Sequence, residues 1–345
     1  MNVLQLTDYN KLEYLQLPDP VIKTDDDVII RVKACGICGS DVHGLDGSTG
    51  RRKPPAIMGH EATGIVEAVG KAVKRLKPGD RVAFEPTQYC GDCRYCRSGR
   101  TNLCEQRRVL GISCDEYKVD GAYAELVVVS QKNVHIMPDS VSFRQGALIE
   151  PLSIAMHAVK VSGFMPTDTA LVFGSGTIGL MAVQILSAYG CENIIVADRN
   201  DDKLELAKSL GAHHTVNTKS NEVRAAVMAA TGNKGVDCAY DCIGLASVAN
   251  ICLDCMSTGA CLTLIGLMEK TAELPFQRIT ANEWRIQGAF VACRGDYPEC
   301  IELIAQKKVI MDPFISAVAP LSEGAEWFTR LKNKERGLMK VLLEP

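Results

Sequence analysis

The sequence predicts an α/β protein in two parts, a mostly β domain and a doubly wound parallel sheet. Three observations predict it. The chain is 345 residues long, its first third holds short β-branched runs punctuated by Gly, Pro and Asp, and a strand–helix alternation begins at Asp168. A chain of this length can bury two separate cores.

In the first third, Val28-Ile29-Ile30-Arg31-Val32 and Gly64-Ile65-Val66-Glu67-Ala68-Val69-Gly70 read as short strands. Lys77-Pro78-Gly79-Asp80 is a turn that feeds another, Arg81-Val82-Ala83-Phe84. After Asp168 come a strand over 170–173, a helix over 177–189, a strand over 193–197 and a helix over 203–210. The same alternation runs through 236–240 and 261–265, as a parallel sheet with crossover helices requires. The tail, with a helix over 297–306 and a strand over 339–343, is expected to return to the first domain.

Composition sets the class. With 47% hydrophobic residues, 23% charged residues and a net charge of -3, the chain has a globular profile and no basic footprint for nucleic acid. It has neither an apolar run behind N-terminal positive charges nor about 18 uninterrupted apolar residues. The expected compartment is therefore the cytoplasm, with no membrane and no nucleic-acid partner. Fifteen cysteines then read as thiols and metal ligands rather than disulfides.

Cysteine spacing is the sharpest signal. Cys90-Gly91-Asp92-Cys93-Arg94-Tyr95-Cys96, followed by Cys104, puts four thiolates within fifteen positions. Tetrahedral zinc suits such a set, and a closed sulfur cage has no open position, which makes its role structural. An iron–sulfur cluster and four free surface thiols are the competing readings. Cys38, His60 and Glu61 form a second candidate set, mixed in chemistry and able to leave a position for water or substrate. Glu150 stands near the domain boundary, where Pro151 biases it toward an extended conformation. Taken alone, this second pattern recurs by chance among core and surface residues. Cys35, Cys252 and Cys255 have dithiol spacing without a thioredoxin-like context and read as packing residues.

Ala170-Leu171-Val172-Phe173-Gly174-Ser175-Gly176-Thr177-Ile178-Gly179 is an apolar strand that enters a glycine-rich turn and a helix. Gly174 permits the turn, Gly176 lets a pyrophosphate approach the helix start, and Gly179 allows close helix–strand packing. Asp198 closes the next strand, where a carboxylate accepts both ribose hydroxyls and repels a 2′-phosphate. NAD is the expected cofactor, with Arg199 the one residue that favours NADP.

The run Gly59-His60-Glu61-Ala62-Thr63-Gly64-Ile65-Val66-Glu67-Ala68-Val69-Gly70, then the four cysteines, then the glycine motif, resembles the zinc-containing medium-chain dehydrogenases across essentially the whole chain. Gly146-Ala147-Leu148-Ile149-Glu150-Pro151-Leu152-Ser153 is similar to the sorbitol (L-iditol) dehydrogenase branch. The resemblance implies a GroES-like catalytic domain over 1–152, completed by 291–345, and an NAD-binding Rossmann domain over 153–290. It implies two zincs per chain, with Cys38, His60 and Glu61 on the catalytic one and Glu150 either binding it or holding its water. Ser40 and His43 match proton-relay positions. Ile178 and Lys203 fall at cofactor contacts, Ile265, Gly266 and Leu267 line the nicotinamide pocket, and Ala289 and Phe290 close it.

The activity implied is oxidation of a secondary hydroxyl on a small polyol or sugar-like molecule, by a homo-oligomer of two or four copies. Two departures bear on the substrate. Gly44 replaces the branch's aromatic residue after the relay His, and Val291-Ala292 replaces an Arg-Tyr pair that contacts polyol. These changes imply a roomier pocket, suited to a larger sugar, a cyclic polyol or a sugar phosphate, with Arg51, Arg52, Lys53 and Arg294 as candidates for an anionic group. Other readings are a non-catalytic zinc- and nucleotide-binding redox sensor, a zinc-free reductase of the same fold, and a threonine or sugar-phosphate dehydrogenase.

Overall fold

The computed structural model describes every residue, Met1–Pro345, in two compact units: Met1–Glu150 with Ala292–Pro345, and Pro151–Val291. In the first unit the central strand is Asp27–Gly36, whose Val28, Ile30, Val32, Ala34 and Cys35 are all buried. Around it the sheet runs Val134–Ile136, Arg81–Phe84, Glu61–Val69, Asp27–Gly36, Lys340–Glu344, Ile315–Pro320, with Leu126–Ser130 also paired to the central strand. Burial on both sides gives near-continuous apolar runs, and Leu4, Ile30, Phe84, Tyr123 and Phe328 share one core. Strand register sets which side chains meet: Gly36 lies opposite Glu61 on one side and Leu342 on the other. The C-terminal segment does return to this sheet, as expected, and Asp296–Ala305 is a helix of the same unit.

The second unit is a six-stranded, fully parallel sheet in the order His214–Asn217, Asn193–Asp198, Thr169–Phe173, Val236–Asp241, Met256–Leu264, Arg285–Gly288. The order reverses direction between Thr169–Phe173 and Val236–Asp241, which creates a crevice at the carboxyl ends of those two strands. Helix Thr177–Ala188 buries Gly179 through Leu186 without a break, because it packs onto a sheet that is itself apolar. No helix in the molecule is long and apolar enough to cross a membrane.

Glu150 departs from expectation. It is helical, in the first turn of Ile149–Ser162, rather than extended. Pro151 is tolerated there because a first-turn N–H has no intrahelical partner to lose, so the steric bias on the preceding residue is overridden. Cys35, Cys252 and Cys255 are fully buried, and all fifteen cysteines are free thiols.

Candidate active site

Cys38 ends the turn after the central strand and is the N-cap of the short helix Gly39–Gly44, while His60 directly precedes Glu61–Val69. Pairing of those two strands brings Cys38, His60 and Glu61 together, with one ligand atom of each within 4.8 Å of the others. Their electrostatics favour a cation. Burial, reinforced by the Glu61 carboxylate, pushes the Cys38 thiol up to about 12. Burial also lifts Glu150 to about 8, with Glu61 and Cys38 adding to the rise and His60 opposing it. Thiol, imidazole and carboxylate crowded into one buried place form a donor set that fits zinc, whose charge inverts that local penalty.

Behind these groups lies a network that the sequence did not reveal. Asp41 is fully buried and its Oδ1 accepts from Arg52 at 3.0 and 2.6 Å, while Tyr123 donates its hydroxyl to Oδ2 at 2.8 Å. Burial opposes ionisation of Asp41, but His60, Arg52 and Tyr123 outweigh it and hold the carboxyl below its usual range. His60 Nδ1 lies 3.5 Å from Asp41 Oδ2 and is buried without a hydrogen bond, the nitrogen that a small ring rotation would give to Asp41. Ser40 Oγ donates to Cys38 Sγ at 3.2 Å. His43 is exposed, and no hydrogen bond joins it to Ser40.

Two expectations about the substrate pocket change here. A Cβ on Gly44 would sit 2.5 Å from Arg52 Cγ, so the space beside Gly44 is filled by the arginine stem rather than left open. Arg52 is also ruled out as an anion contact, since it is buried against Asp41, and Lys53 is paired with Asp115.

The four-cysteine set forms as expected. Cys90, Cys93, Cys96 and Cys104 all lie within 4.8 Å, with Cys90 Sγ 3.9 Å from Cys96 and 3.5 Å from Cys104. Bonds of about 2.3 Å to a tetrahedral zinc give sulfur–sulfur edges of roughly 3.8 Å. Backbone N–H groups of Asp92 and Cys93 point at Cys90, and those of Cys90 and Gln106 at Cys104. N–H groups of Cys96 and Glu105 bring the Cys93 thiol down to about 6, whereas burial pushes the Cys96 thiol up to about 12.

In the second unit, Gly174 turns at φ 101° and Gly176 caps the helix. A Cβ on Gly179 would lie 1.8 Å from the Gly174 carbonyl, a contact only glycine permits. Ser175 donates its backbone N–H to Asp198 Oδ2 at 2.7 Å, which fixes the carboxylate beside the glycine loop. Ile178 is half-buried near the start of that helix, and Lys203 lies in the next one, Asp201–Ser209. Asp241, which no sequence motif singled out, organises the neighbouring loops: its carboxylate accepts from Ile243 and Gly244 at 2.8 Å, its carbonyl from Ile265 and Gly266 at 2.9 Å. Ala289 donates to the Leu264 carbonyl at 2.9 Å with Phe290 next in the chain, and Leu267 is 88% exposed.

Comparison with known proteins agrees with this arrangement. Residues 24–139 match the alcohol dehydrogenase GroES-like domain and residues 177–306 the zinc-binding dehydrogenase family. This chain belongs to the zinc-binding alcohol dehydrogenases. A sorbitol dehydrogenase of Bacillus subtilis is 35% identical over 97% of this chain and 94% of its own. A D-arabitol-phosphate dehydrogenase of Enterococcus avium is 33% identical over 99% and 96%. Among solved structures, galactitol-1-phosphate dehydrogenase from Escherichia coli superposes with a TM-score of 0.92, at 26% identity over all of both chains.

As a zinc-binding alcohol dehydrogenase of the sorbitol-dehydrogenase-like branch, the chain is an enzyme with zinc and NAD as cofactors. The sequence singled out the residues that converge in the two donor sets and the glycine loop, but not Asp41, Tyr123 or Asp241, and it offered Arg52 to an anionic group where the fold gives it Asp41. An acidic residue three positions after a candidate ligand cysteine was the only local signal for any of them.

Proposed function

We propose that this dehydrogenase oxidises a secondary hydroxyl of a polyol or sugar-like molecule with NAD, using zinc held by Cys38, His60 and Glu61. The convergence of those three ligand atoms beside Glu150 carries the reading. Zinc held there would supply Lewis acidity, the chemistry that makes an alcohol acidic enough to ionise near neutral pH. The residues do the rest. Glu150 binds the metal or holds the hydroxyl on it, and Ser40 and His43 carry the proton toward water. Asp198 takes the ribose hydroxyls, and the N–H groups at Gly176 and Ile178 face the pyrophosphate, with Gly174 making the turn, its own N–H given to the Ala197 carbonyl, and Gly179 keeping helix and strand close. Lys203 contacts the cofactor, Ile265, Gly266 and Leu267 line the nicotinamide site, and Ala289 and Phe290 close it. Nicotinamide held there would supply the acceptor for the hydride of the carbinol carbon.

In this reading residues 1–152 and 291–345 make the catalytic domain, 153–290 the NAD domain, and Cys90, Cys93, Cys96 and Cys104 the structural zinc site. Polyol and polyol-phosphate dehydrogenases among the relatives support a sugar-alcohol substrate, phosphorylated or not. Arg51 and Arg294 remain as candidates for a phosphate. Fifteen free thiols suit a reducing compartment such as the cytoplasm, and the assembly is read as a dimer or tetramer. The deciding experiment is an NAD-reduction screen over polyols, inositols, glycosides and sugar phosphates, on protein shown to carry two zincs. Turnover of a secondary alcohol is expected. Fully metallated protein that binds NADH yet oxidises nothing in the panel supports the sensor reading instead.

A further inference from the structure

Lys340 lies in the C-terminal strand Lys340–Glu344, among Val341, Leu342 and Leu343, all fully buried. It is itself only 4% exposed, and Glu61 only 1%. The lysine Nζ donates to both Glu61 oxygens, at 2.8 and 2.7 Å, and to the Ile37 carbonyl at 3.2 Å, so each of its three hydrogens has an acceptor. Ile37 is the residue before Cys38. One ammonium thus ties together the backbone beside one metal donor and the side chain of another.

The fold makes room for this contact from the other side. A Cβ on Gly36 would lie 2.3 Å from Glu61 Oε2, so glycine there leaves the carboxylate its place. A buried ammonium is costly, and burying a carboxylate against it roughly balances rather than repays that cost. An apolar pair would serve the core as well, which points to a use for the charge.

We propose that Lys340 is a positioning residue that shares the Glu61 carboxylate with the metal and so sets how firmly the open site grips its zinc. The inference rests on Glu61 being a ligand. A carboxylate offers about four lone-pair positions, and Lys340 occupies two, one on each oxygen. The remainder serve the cation, but the ammonium draws charge away from them. Charge arithmetic shows the consequence: zinc with a thiolate and a carboxylate is neutral, whereas Lys340 restores one positive charge. Zinc stays electrophilic although two of its three ligands are anionic, and it is held less tightly than such a ligand set alone would hold it. A lysine that merely filled the core would leave the metal indifferent to its removal.

The test uses the full-length holoenzyme and two readouts other than turnover: the rate at which a chelator removes the labile zinc, and the visible spectrum of Co2+ placed in that site. Retention of the second, non-labile zinc reports that a variant is folded. Lys340→Met should release zinc more slowly, by up to about tenfold, and should shift the cobalt bands, as Glu61 gives its full charge to the metal. Lys340→Arg, which keeps the charge, should restore both. In a Glu61→Gln background, Lys340→Met should change neither. If Lys340→Met loses the non-labile zinc, the neutral but hydrogen-bonding Lys340→Gln answers with the same expectations. An unchanged release rate and spectrum in the neutral variants, or an equal effect in the Glu61→Gln background, overturns the proposal. Glu61→Gln alone separates the two levels: if it moves neither readout, Glu61 is no ligand, and if it moves both while the Lys340 variants do not, only the role of Lys340 fails.

Discussion

Glu150 shows at single-residue scale how position creates chemistry. Burial is the first cause of its rise to about 8, with Glu61 and Cys38 adding to it and His60 opposing it. A carboxyl so placed can accept a hydrogen bond from a hydroxyl at the metal or give a proton to it. Replacing Glu150 by Gln keeps shape and hydrogen bonding but removes the ionisable group. Glu150→Gln is expected to retain both zincs and lose roughly 10- to 100-fold in kcat, the range for groups that orient a metal site from outside its ligand shell. Cys38→Ser is expected to lose the labile zinc altogether. Zinc content and kcat on both variants check this: full activity in Glu150→Gln removes the residue from the site, and metal loss makes it a ligand.

At the scale of elements, the strand Asn193–Asp198 and the helix Asp201–Ser209 meet at one carboxylate. Asp198 Oδ2 accepts from Ser175 N–H at 2.7 Å and Oδ1 from Asn200 N–H at 3.0 Å, so the group proposed to take the ribose hydroxyls also ties the glycine loop to the helix entry. Asn200 continues the link by capping the helix, its side chain accepting from Lys203 N–H at 3.2 Å. Asp198→Ala should therefore do two things. Removing the repulsion of a 2′-phosphate should narrow the NAD-to-NADP ratio of kcat/KM by about tenfold, or ~1.4 kcal/mol. Losing the two acceptors should weaken binding of both cofactors together. Kinetics with both dinucleotides separate these effects, and an unchanged ratio means that the carboxylate serves the loop alone.

For the whole molecule, stability depends on buried charge in the first unit. Glu85 is 3% exposed and hydrogen-bonds His135 Nε2 at 2.7 Å, while Tyr297, from the returning C-terminal segment, stacks on the His135 ring at 5.6 Å. Burial lifts the Glu85 carboxyl above its usual range, and His135 and Arg294 only partly oppose it. A carboxyl raised on folding contributes stability below its unfolded pKa of about 4.3 and loses it as pH climbs through the raised value. Glu85→Gln cannot ionise, so its Tm relative to the native protein should rise as pH goes from about 4 toward neutrality. A Tm difference that stays flat over that interval shows that the folded carboxyl is not raised.

Local and periodic features were legible in the amino-acid order alone. Four cysteines within fifteen positions can reach one metal whatever surrounds them, and the Gly174–Gly179 motif carries its turn and helix start within one segment. Alternation of apolar runs and helical stretches was enough for the parallel sheet. Contacts that depend on strand register between distant segments needed the folded chain. Lys340 meets Glu61 across 279 positions because Lys340–Glu344 joins the sheet beside Asp27–Gly36, and no pattern near either residue announces it. Arg52 was legible only as a candidate for an anionic group, and the buried Asp41 turned it inward, into the space that Gly44 leaves free. Glu150 was misread for the same reason: a local steric rule about proline yields when the rest of a helix is held by packing, since the bias on one residue is small against a buried face.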